Sequence, residues 1–159
     1  MSQDVELVLT PKGHARLESE LERLRSFQRN EVAERLRDSK QFGDLTENAE
    51  YEDAKQEQAL IESQISDLRR VLQIAQVLED DDIPTDHIGI GSIVSMTNVA
   101  TKDEWEFTLV GSVEADPEND LISDVSPIGD ALVGKKAGET VTAHVPSGTV
   151  RYKINSIRK

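Results

Sequence analysis

The chain has 159 residues, of which 31% are charged and only 4% aromatic, and its formal net charge is −13. This composition does not suit one large globular core, but it suits a coiled coil joined to a compact module. The acidic balance excludes binding of naked duplex nucleic acid through bulk electrostatics, because phosphate binding needs a basic contact surface. Since there is no cysteine, disulfides and thiolate metal sites are excluded too.

The sequence shows no sign of a membrane segment or a secretory signal. Apolar runs fall well short of the ~18 residues that a membrane-spanning helix needs. The N-terminus lacks the charged start and apolar core of a signal peptide. We therefore expect a cytoplasmic protein without a membrane partner.

The first predicted helix begins at Thr10-Pro11 and runs to about Lys40. A threonine hydroxyl can cap the helix, and proline is favoured at the first helical position, where its missing N–H has no intrahelical partner. Along this segment Leu17, Leu21 and Leu24 follow a clear helical spacing. Val32 and Leu36 continue that spacing less strictly.

A second helical segment follows the Gly43 break and has the apolar seam of a coiled coil. Two helices joined by a short turn run antiparallel, so we expect a helical hairpin, on the order of 45 Å long for about 30 residues per helix. Small and polar seam residues near the turn predict weaker packing there than at the base. The seam positions are Tyr51, Ala54, Gln58, Ile61, Ile65, Leu68, Leu72 and Ala75.

An acidic run, Glu79-Asp80-Asp81-Asp82, precedes Ile83-Pro84 and is expected to end the second helix. Such a run beside a proline is typical of a solvated linker, and we prefer this to a metal site. The predicted organisation is a helical domain over residues 1–79, a linker over 80–87 and a second domain over 88–159.

Beyond the linker the apolar period changes to two, which indicates strands. Ser126-Pro127 predicts the start of a short helix that ends at Gly134, and Pro146-Ser147-Gly148 predicts a hairpin turn between the last two strands. The fold class is therefore α+β, with a helical hairpin followed by a small, mostly antiparallel sheet. The predicted strands are Ile88–Met96, Glu104–Val110, Thr140–Val145 and Thr149–Ile157.

At the hairpin turn, two carboxylates, Asp44 and Glu47, lie three residues apart where the second helix is expected to begin. This spacing is that of a capping box, in which the two acids complement the helix N-terminus. It also suits Mg²⁺, which prefers oxygen ligands and is usually bound jointly with substrate phosphates. From spacing alone the capping interpretation is the better supported one, and both remain open.

Two lysines, Lys40 and Lys55, flank the turn on either side. Lys40 lies in the last turn of the first helix, a favourable place for a cation. Either lysine could hold an RNA phosphate near the turn, or both could be ordinary solvated helix residues.

Two motifs of this chain resemble those of the bacterial transcript-cleavage elongation factors of the GreA/GreB family. The first is the turn, Gly43-Asp44-Leu45-Thr46-Glu47-Asn48-Ala49-Glu50-Tyr51. The second lies in the C-terminal half and comprises Leu121-Ile122-Ser123, Ser126-Pro127-Ile128-Gly129 and the run from Ala131 to Glu139. The resemblance covers nearly the whole chain in the same order. The mixed charge of the predicted arm, without an extended basic stripe, is closer to the GreA branch.

The resemblance implies a protein that is not itself an enzyme. In that family the coiled-coil hairpin enters the secondary channel of RNA polymerase, and the polymerase active site then cleaves backtracked nascent RNA near its 3′ end. By motif, Asp44 and Glu47 are implied to direct a Mg²⁺ ion shared with the polymerase and not bound tightly by the factor alone. Asn48 and Tyr51 are implied to support the tip, and Lys40 and Lys55 to lie near the RNA.

The resemblance further implies that the C-terminal domain is FKBP-like and docks on polymerase through Ser126, Pro127 and Ile128. Val125 departs from the Asp or Asn of other family members, so the docking contact at this position is left open. A monomer is expected.

Three alternatives remain at this point. A same-fold inhibitor would enter the secondary channel and block it, which the intact Asp44 and Glu47 pair disfavours. An FKBP-like peptidyl-prolyl isomerase needs an aromatic pocket, and the C-terminal half has few aromatics. A purely structural coiled-coil protein would not require the acidic tip.

Overall fold

The computed structural model describes residues 7–40 and 49–159, without the side chain of Lys40. These residues form two compact units. One contains the described residues up to Gly13 together with Ala75–Lys159, and the other contains His14–Ile74. The fold is α+β, with helices in the N-terminal region and a sheet in the C-terminal region. In the described residues no helix is both long and apolar enough to cross a membrane.

The predicted first helix forms as two α-helices joined by a π-helical turn. Helix α1 spans Pro11–Phe27, the π-helical turn spans Gln28–Val32, and helix α2 spans Ala33–Lys40. A π-turn adds one residue to the helical repeat. This explains why Val32 and Leu36 follow Leu24 one residue later than a regular heptad would place them. The turn brings Val32 to a fully buried position.

Helix α3 spans Ala49–Ile74, so it ends before the acidic run at which we expected it to end. It packs against α1 and the π-turn through Leu24, Val32, Ile61 and Ile65, and Leu36 of α2 packs against this cluster. Every predicted seam position from Tyr51 to Ala75 is buried or half-buried. The last of them, Ala75, lies one residue beyond the end of α3.

Hydrogen bonds between the helices establish their relative direction. Gln28 donates to Glu62 at 3.1 Å, and Arg35 further along the chain donates to Glu57. The partner number falls as the residue number rises, so the two segments run antiparallel.

The other unit contains a five-stranded sheet made of β3 Ile93–Asn98, β4 Glu104–Val110, β5 Leu121–Ser123, β6 Thr140–Val145 and β7 Gly148–Arg158. Their order across the sheet is β5-β4-β3-β7-β6. All its strand pairs are antiparallel except β4 with β5. A short helix, α4, spans Pro127–Leu132 and contributes Leu132 to the buried core, with Phe107 and Ile154 from the sheet.

The predicted start of the first long strand at Ile88 was wrong, because β3 begins at Ile93. Gly91 has a φ of +95°, which interrupts an extended strand, and Ser92 N–H donates to the Gly89 carbonyl to close a turn. Ile88 instead pairs its backbone with Gly134 and Lys135 beyond α4.

Two short strands that were not predicted pair in parallel, one preceding α1 and the other following α3 in the chain. β1 spans Val8–Leu9 and β2 spans Gln76–Val77. The segment expected as a linker contains a 3₁₀ turn, Asp80–Asp82, and Lys159 forms an ion pair with Asp80 at 2.9 Å. The start of the 80–87 segment therefore contacts Lys159, the residue that follows β7.

Candidate functional site

The expected tip acids Asp44 and Glu47, together with Asn48, lie outside the described residues. The structure describes the helix ends on either side of these residues. Helix α2 ends at Lys40 and helix α3 begins at Ala49. The Mg²⁺-directing role of the two acids therefore stays a prediction.

Tyr51 and Lys55, both predicted near the tip, lie one helical turn apart at the start of α3. The Lys55 ammonium lies 5.8 Å from the centre of the Tyr51 ring, within the range of a cation–π contact. Tyr51 is half-buried whereas Lys55 is exposed. The contact places the lysine charge beside an aromatic surface near the start of α3.

A cleft of about 310 Å³ between α2 and the start of α3 is lined by carboxylates for which the sequence predicted no role. Asp38 lies on α2, and Glu50 and Asp53 lie on α3, beside the buried Ser39. Arg35 lines the same cleft and forms an ion pair with Glu57. The described flank of the tip is thus predominantly acidic, with one arginine already paired to a carboxylate.

In the C-terminal unit, Ser126 organises the loop that connects β5 to α4. Its hydroxyl accepts a hydrogen bond from Gly129 N–H at 3.1 Å and donates to the Ser123 carbonyl at 2.7 Å. Its own N–H donates to the same carbonyl at 3.1 Å. Ser126 is therefore the N-cap of α4, and Pro127 occupies the first helical position, as the sequence predicts.

Glycine is required at position 129 because its backbone lies very close to the Ser123 carbonyl. A Cβ at this position would lie 1.9 Å from the Ser123 carbonyl oxygen, a backbone atom that cannot move aside cheaply. The hydroxyl of Ser123 also accepts from Val125 N–H at 3.2 Å. These contacts fix the loop from both ends.

The three predicted docking residues differ in their exposure. Pro127 is exposed, Ser126 is half-buried in its cap, and Ile128 packs against the core of the sheet. Val125, which the sequence marked as a departure, is 72% exposed. The surface that the loop presents is therefore Val125 and Pro127, with Ile128 anchoring the loop from below.

Comparison with known families matches both parts of the chain. Residues 7–77 match the family model described as transcription elongation factor, N-terminal. Residues 83–159 match the model described as transcription elongation factor, GreA/GreB, C-terminal. Together the two models span most of the chain.

Individual relatives match over nearly their full length. The chain is 48% identical over 153 residues to transcription elongation factor GreA of Caldanaerobacter subterraneus subsp. tengcongensis, covering 96% of this chain and 98% of that protein. It is 46% identical over 159 residues to GreA of Syntrophomonas wolfei, covering all of both. A solved structure, GreA factor homolog 1 of Thermus thermophilus, is 29% identical and covers 97% of this chain and 99% of that one, with a TM-score of 0.45.

Proposed function

The chain belongs to the GreA/GreB family of transcription elongation factors, and on that basis we propose that it binds bacterial RNA polymerase and stimulates cleavage of backtracked nascent RNA. The two family models, matched over residues 7–77 and 83–159, are the observation that supports this most. In this proposal the factor acts through the polymerase, whose active site performs the hydrolysis.

The antiparallel helices supply the arm that the proposal needs. We assign them as a coiled-coil hairpin that enters the secondary channel of the polymerase. The apolar cluster of Leu24, Val32, Ile61 and Ile65 gives the arm a buried seam. A packed seam lets two exposed helices present their connecting turn at a fixed distance from the base.

Asp44 and Glu47 are the residues that we propose to act at the far end of the arm. Their carboxylates are hard oxygen donors, the kind of ligand that Mg²⁺ prefers. Two carboxylates form an incomplete site, so tight binding would need further ligands from the polymerase and the RNA. When bound, Mg²⁺ stabilises negative charge and lowers the pKa of a coordinated water.

Beside these acids, Tyr51 and Asn48 would support the turn, and Lys40 and Lys55 would lie near RNA phosphates. The Lys55 charge stays available for this, because its contact with Tyr51 is made through the ring face and not through a carboxylate. The C-terminal unit, which we assign as FKBP-like, would dock through the Ser126, Pro127 and Ile128 loop.

A stalled elongation complex with labelled, backtracked RNA tests the proposal. Addition of the wild-type protein should shorten the RNA faster than polymerase alone. Asp44→Asn should lose most of this stimulation, by about tenfold or more, as for groups that support a metal site. Asparagine still caps a helix well, so folding should be retained.

Asp53→Asn on α3 is the matched control, because it removes one exposed carboxylate near the turn but outside the motif. It should stimulate cleavage like the wild type. Competition with wild-type protein for polymerase would separate lost binding from lost stimulation. If the wild type binds polymerase but slows both synthesis and cleavage, the protein is an inhibitor and the proposal fails.

A further inference from the structure

Strand β6, Thr140–Val145, is one edge of the five-stranded sheet, and among the described residues no further strand pairs with its outer side. It pairs with β7 from Thr140↔Lys153 to Val145↔Gly148, with a two-residue turn between the strands. In such a hairpin the closing pair exchanges both hydrogen bonds, and alternate residues then direct their N–H and C=O outward. The outward residues are Thr140, Thr142 and His144.

The hydrogen bond from Ile154 N–H to the Glu139 carbonyl, at 2.9 Å, agrees with this alternation. It places a bonded pair next to Thr140↔Lys153, so the Thr140 groups point away from β7. Among the described residues, no backbone hydrogen bond beyond the sheet ladder reaches Thr140, Thr142 or His144. Three donors and three acceptors therefore form an unpaired row.

The opposite edge of the sheet, β5, is closed by the chain itself. Leu121 exchanges two backbone hydrogen bonds with Asp116, at 2.8 and 3.1 Å. The Ser123 carbonyl accepts hydrogen bonds from Ser126 N–H and from the Ser126 hydroxyl. The two edges therefore differ: backbone groups of β5 are hydrogen-bonded within the chain, whereas the outward groups of β6 are not.

Within Thr140–Val145, strand β6 lacks several of the features by which proteins usually protect an edge, although Gly138 and Glu139 form a bulge opposite Ile154 just before it. Common protections are a proline, an inward charge, a bulge or a very short strand. The six residues Thr140–Val145 contain neither a proline nor a charged Lys, Asp or Glu, and their pairing with β7 is regular. Such an edge is a template for an added strand, the mode by which several domains bind extended peptides.

The exposed face beside this edge is basic, although the protein as a whole is acidic. Lys153 lies opposite Thr140 and Arg151 lies opposite Thr142, and all four residues are exposed. Within the described part of the chain neither cation lies within ion-pair distance of a carboxylate. A strand added to β6 would place every second side chain on this face, next to the two cations.

We propose that the open edge of β6 binds an extended acidic segment of a partner protein, which adds to the sheet as a sixth strand. Backbone hydrogen bonds to Thr140, Thr142 and His144 supply the affinity, and carboxylates at alternate positions face Arg151 and Lys153. A second copy of the chain fits less well, because its own β6 offers no carboxylate to these cations.

The probe is a fluorescently labelled peptide of alternating glutamate and valine residues, titrated against the full chain. Saturable binding is expected, with slowed hydrogen exchange at the amides of Thr140, Thr142 and His144. Thr142→Pro removes an outward donor without removing a bond to β7, and it should weaken binding about tenfold. Thr142→Val retains the N–H and should bind within roughly twofold of wild type.

Two further measurements test the proposal even if Thr142→Pro misfolds. A peptide N-methylated at the amides that face the protein should lose binding to the wild type. The double variant Arg151→Gln with Lys153→Gln should bind more weakly and with less salt dependence. Arg69→Gln on α3, an exposed arginine without a described ion pair, is the charge-matched control.

Several outcomes would overturn the proposal. One is the absence of saturable peptide binding up to about 1 mM, the weak limit of specific association. Another is equal binding by Thr142→Pro and Thr142→Val. Displacement of the peptide by a single-stranded RNA oligomer would assign the face to nucleic acid. Protection of the three amides in the free, self-associated protein would assign the edge to a second copy.

Discussion

The buried carboxylate of Glu114 holds the first turn of helix α1 through Thr10. Its two oxygens accept hydrogen bonds from the Thr10 N–H at 2.9 Å and the Thr10 hydroxyl at 2.7 Å. The same hydroxyl accepts from Gly13 N–H at 3.0 Å, so Thr10 is the N-cap of α1. A residue 104 positions away thus completes the start of this helix.

Glu114→Gln is expected to destabilise the protein by about 1–3 kcal/mol, the cost of leaving a buried polar group without its partner. An amide offers one acceptor where the carboxylate offers two, so one Thr10 donor loses its bond. Chemical denaturation of the two proteins at neutral pH measures the difference. Glu118→Gln, an exposed acid on a nearby turn, should change stability little.

Gly13→Ala tests the same contact, because the contact decides whether this substitution raises or lowers the stability of the protein. In an open helix, alanine is more stable than glycine by roughly 1 kcal/mol. Here a Cβ would lie 2.1 Å from the Glu114 carboxyl carbon, so the side chain of Glu114 must move. We expect net destabilisation, measured by the denaturation midpoint. A gain in stability would show that Glu114 can leave Thr10 without cost.

Ile61→Ala should destabilise the helical unit by about 2–4 kcal/mol, through lost burial and the cavity that remains. Ile61 is 4% exposed within the apolar cluster that includes Leu24 and Ile65. The neighbouring Leu60 is 60% exposed, so Leu60→Ala is the control and should change stability by less than about 0.5 kcal/mol. Amide hydrogen exchange along α3 measures both, and similar effects would contradict the observed packing.

Much of the fold could be predicted from the sequence where local patterns decide it. Strands β4 and β6 have the predicted bounds, because alternating apolar residues specify a half-buried strand. The cap of α4 at Ser126 followed from a serine–proline signal that acts within one turn. These elements depend on neighbours a few residues away.

Features that depend on distant partners were not predicted. β1 and β2 are two-residue strands that exist only through their pairing with each other. Glu114 is an acid in a turn, and nothing near it in the sequence indicates that it caps α1. The π-turn at Gln28–Val32 did leave a signal, a one-residue slip in the apolar spacing, which local periodicity treats as irregularity.

The candidate site also has features that local sequence predicts and features that depend on the fold. Family motifs predicted a tip and a docking loop, since short sequences specify such motifs. The structure adds that Ile128 faces the core while Val125 is exposed, a distinction that depends on how the loop folds onto the sheet. The roles of Asp44 and Glu47 stay predictions, because these residues lie outside the described part of the chain.

Under the proposed function, Gly129→Ala is expected to weaken polymerase binding by distorting the loop that we propose to dock. The new Cβ would overlap the Ser123 carbonyl, and the backbone must shift to relieve it. Ser126→Ala, which removes the cap, should cost about 1 kcal/mol in stability and a smaller share of affinity. Polymerase binding by native gel or anisotropy measures both effects. Ala131→Gly, on the same helix but away from Ser123, is the control, and an equal loss of binding there would exclude a specific role for the loop.

The contact between Lys159 and Asp80 predicts a dependence of stability on alkaline pH. The hydrogen bond from the Lys159 ammonium to the Asp80 carboxylate, at 2.9 Å, raises the pKa of Lys159 above its ordinary value. A raised pKa means that the folded state binds this proton more tightly than the unfolded state does. The stabilisation is therefore full below the ordinary pKa and is lost as pH rises through the folded pKa.

Asp80→Asn should remove this dependence, so that stability falls less steeply between neutral and strongly alkaline pH. An NMR titration of the Lys159 side chain should then give a pKa nearer its ordinary value. Asp81→Asn removes the same charge one residue along, but its carboxylate lies 4.0 Å from the ammonium and is fully exposed. Its effect on the Lys159 pKa should be smaller, because the hydrogen bond to Asp80 is the largest cause of the shift. Equal shifts in the two variants would mean that the general negative potential of the acidic run, and not this bond, holds the proton.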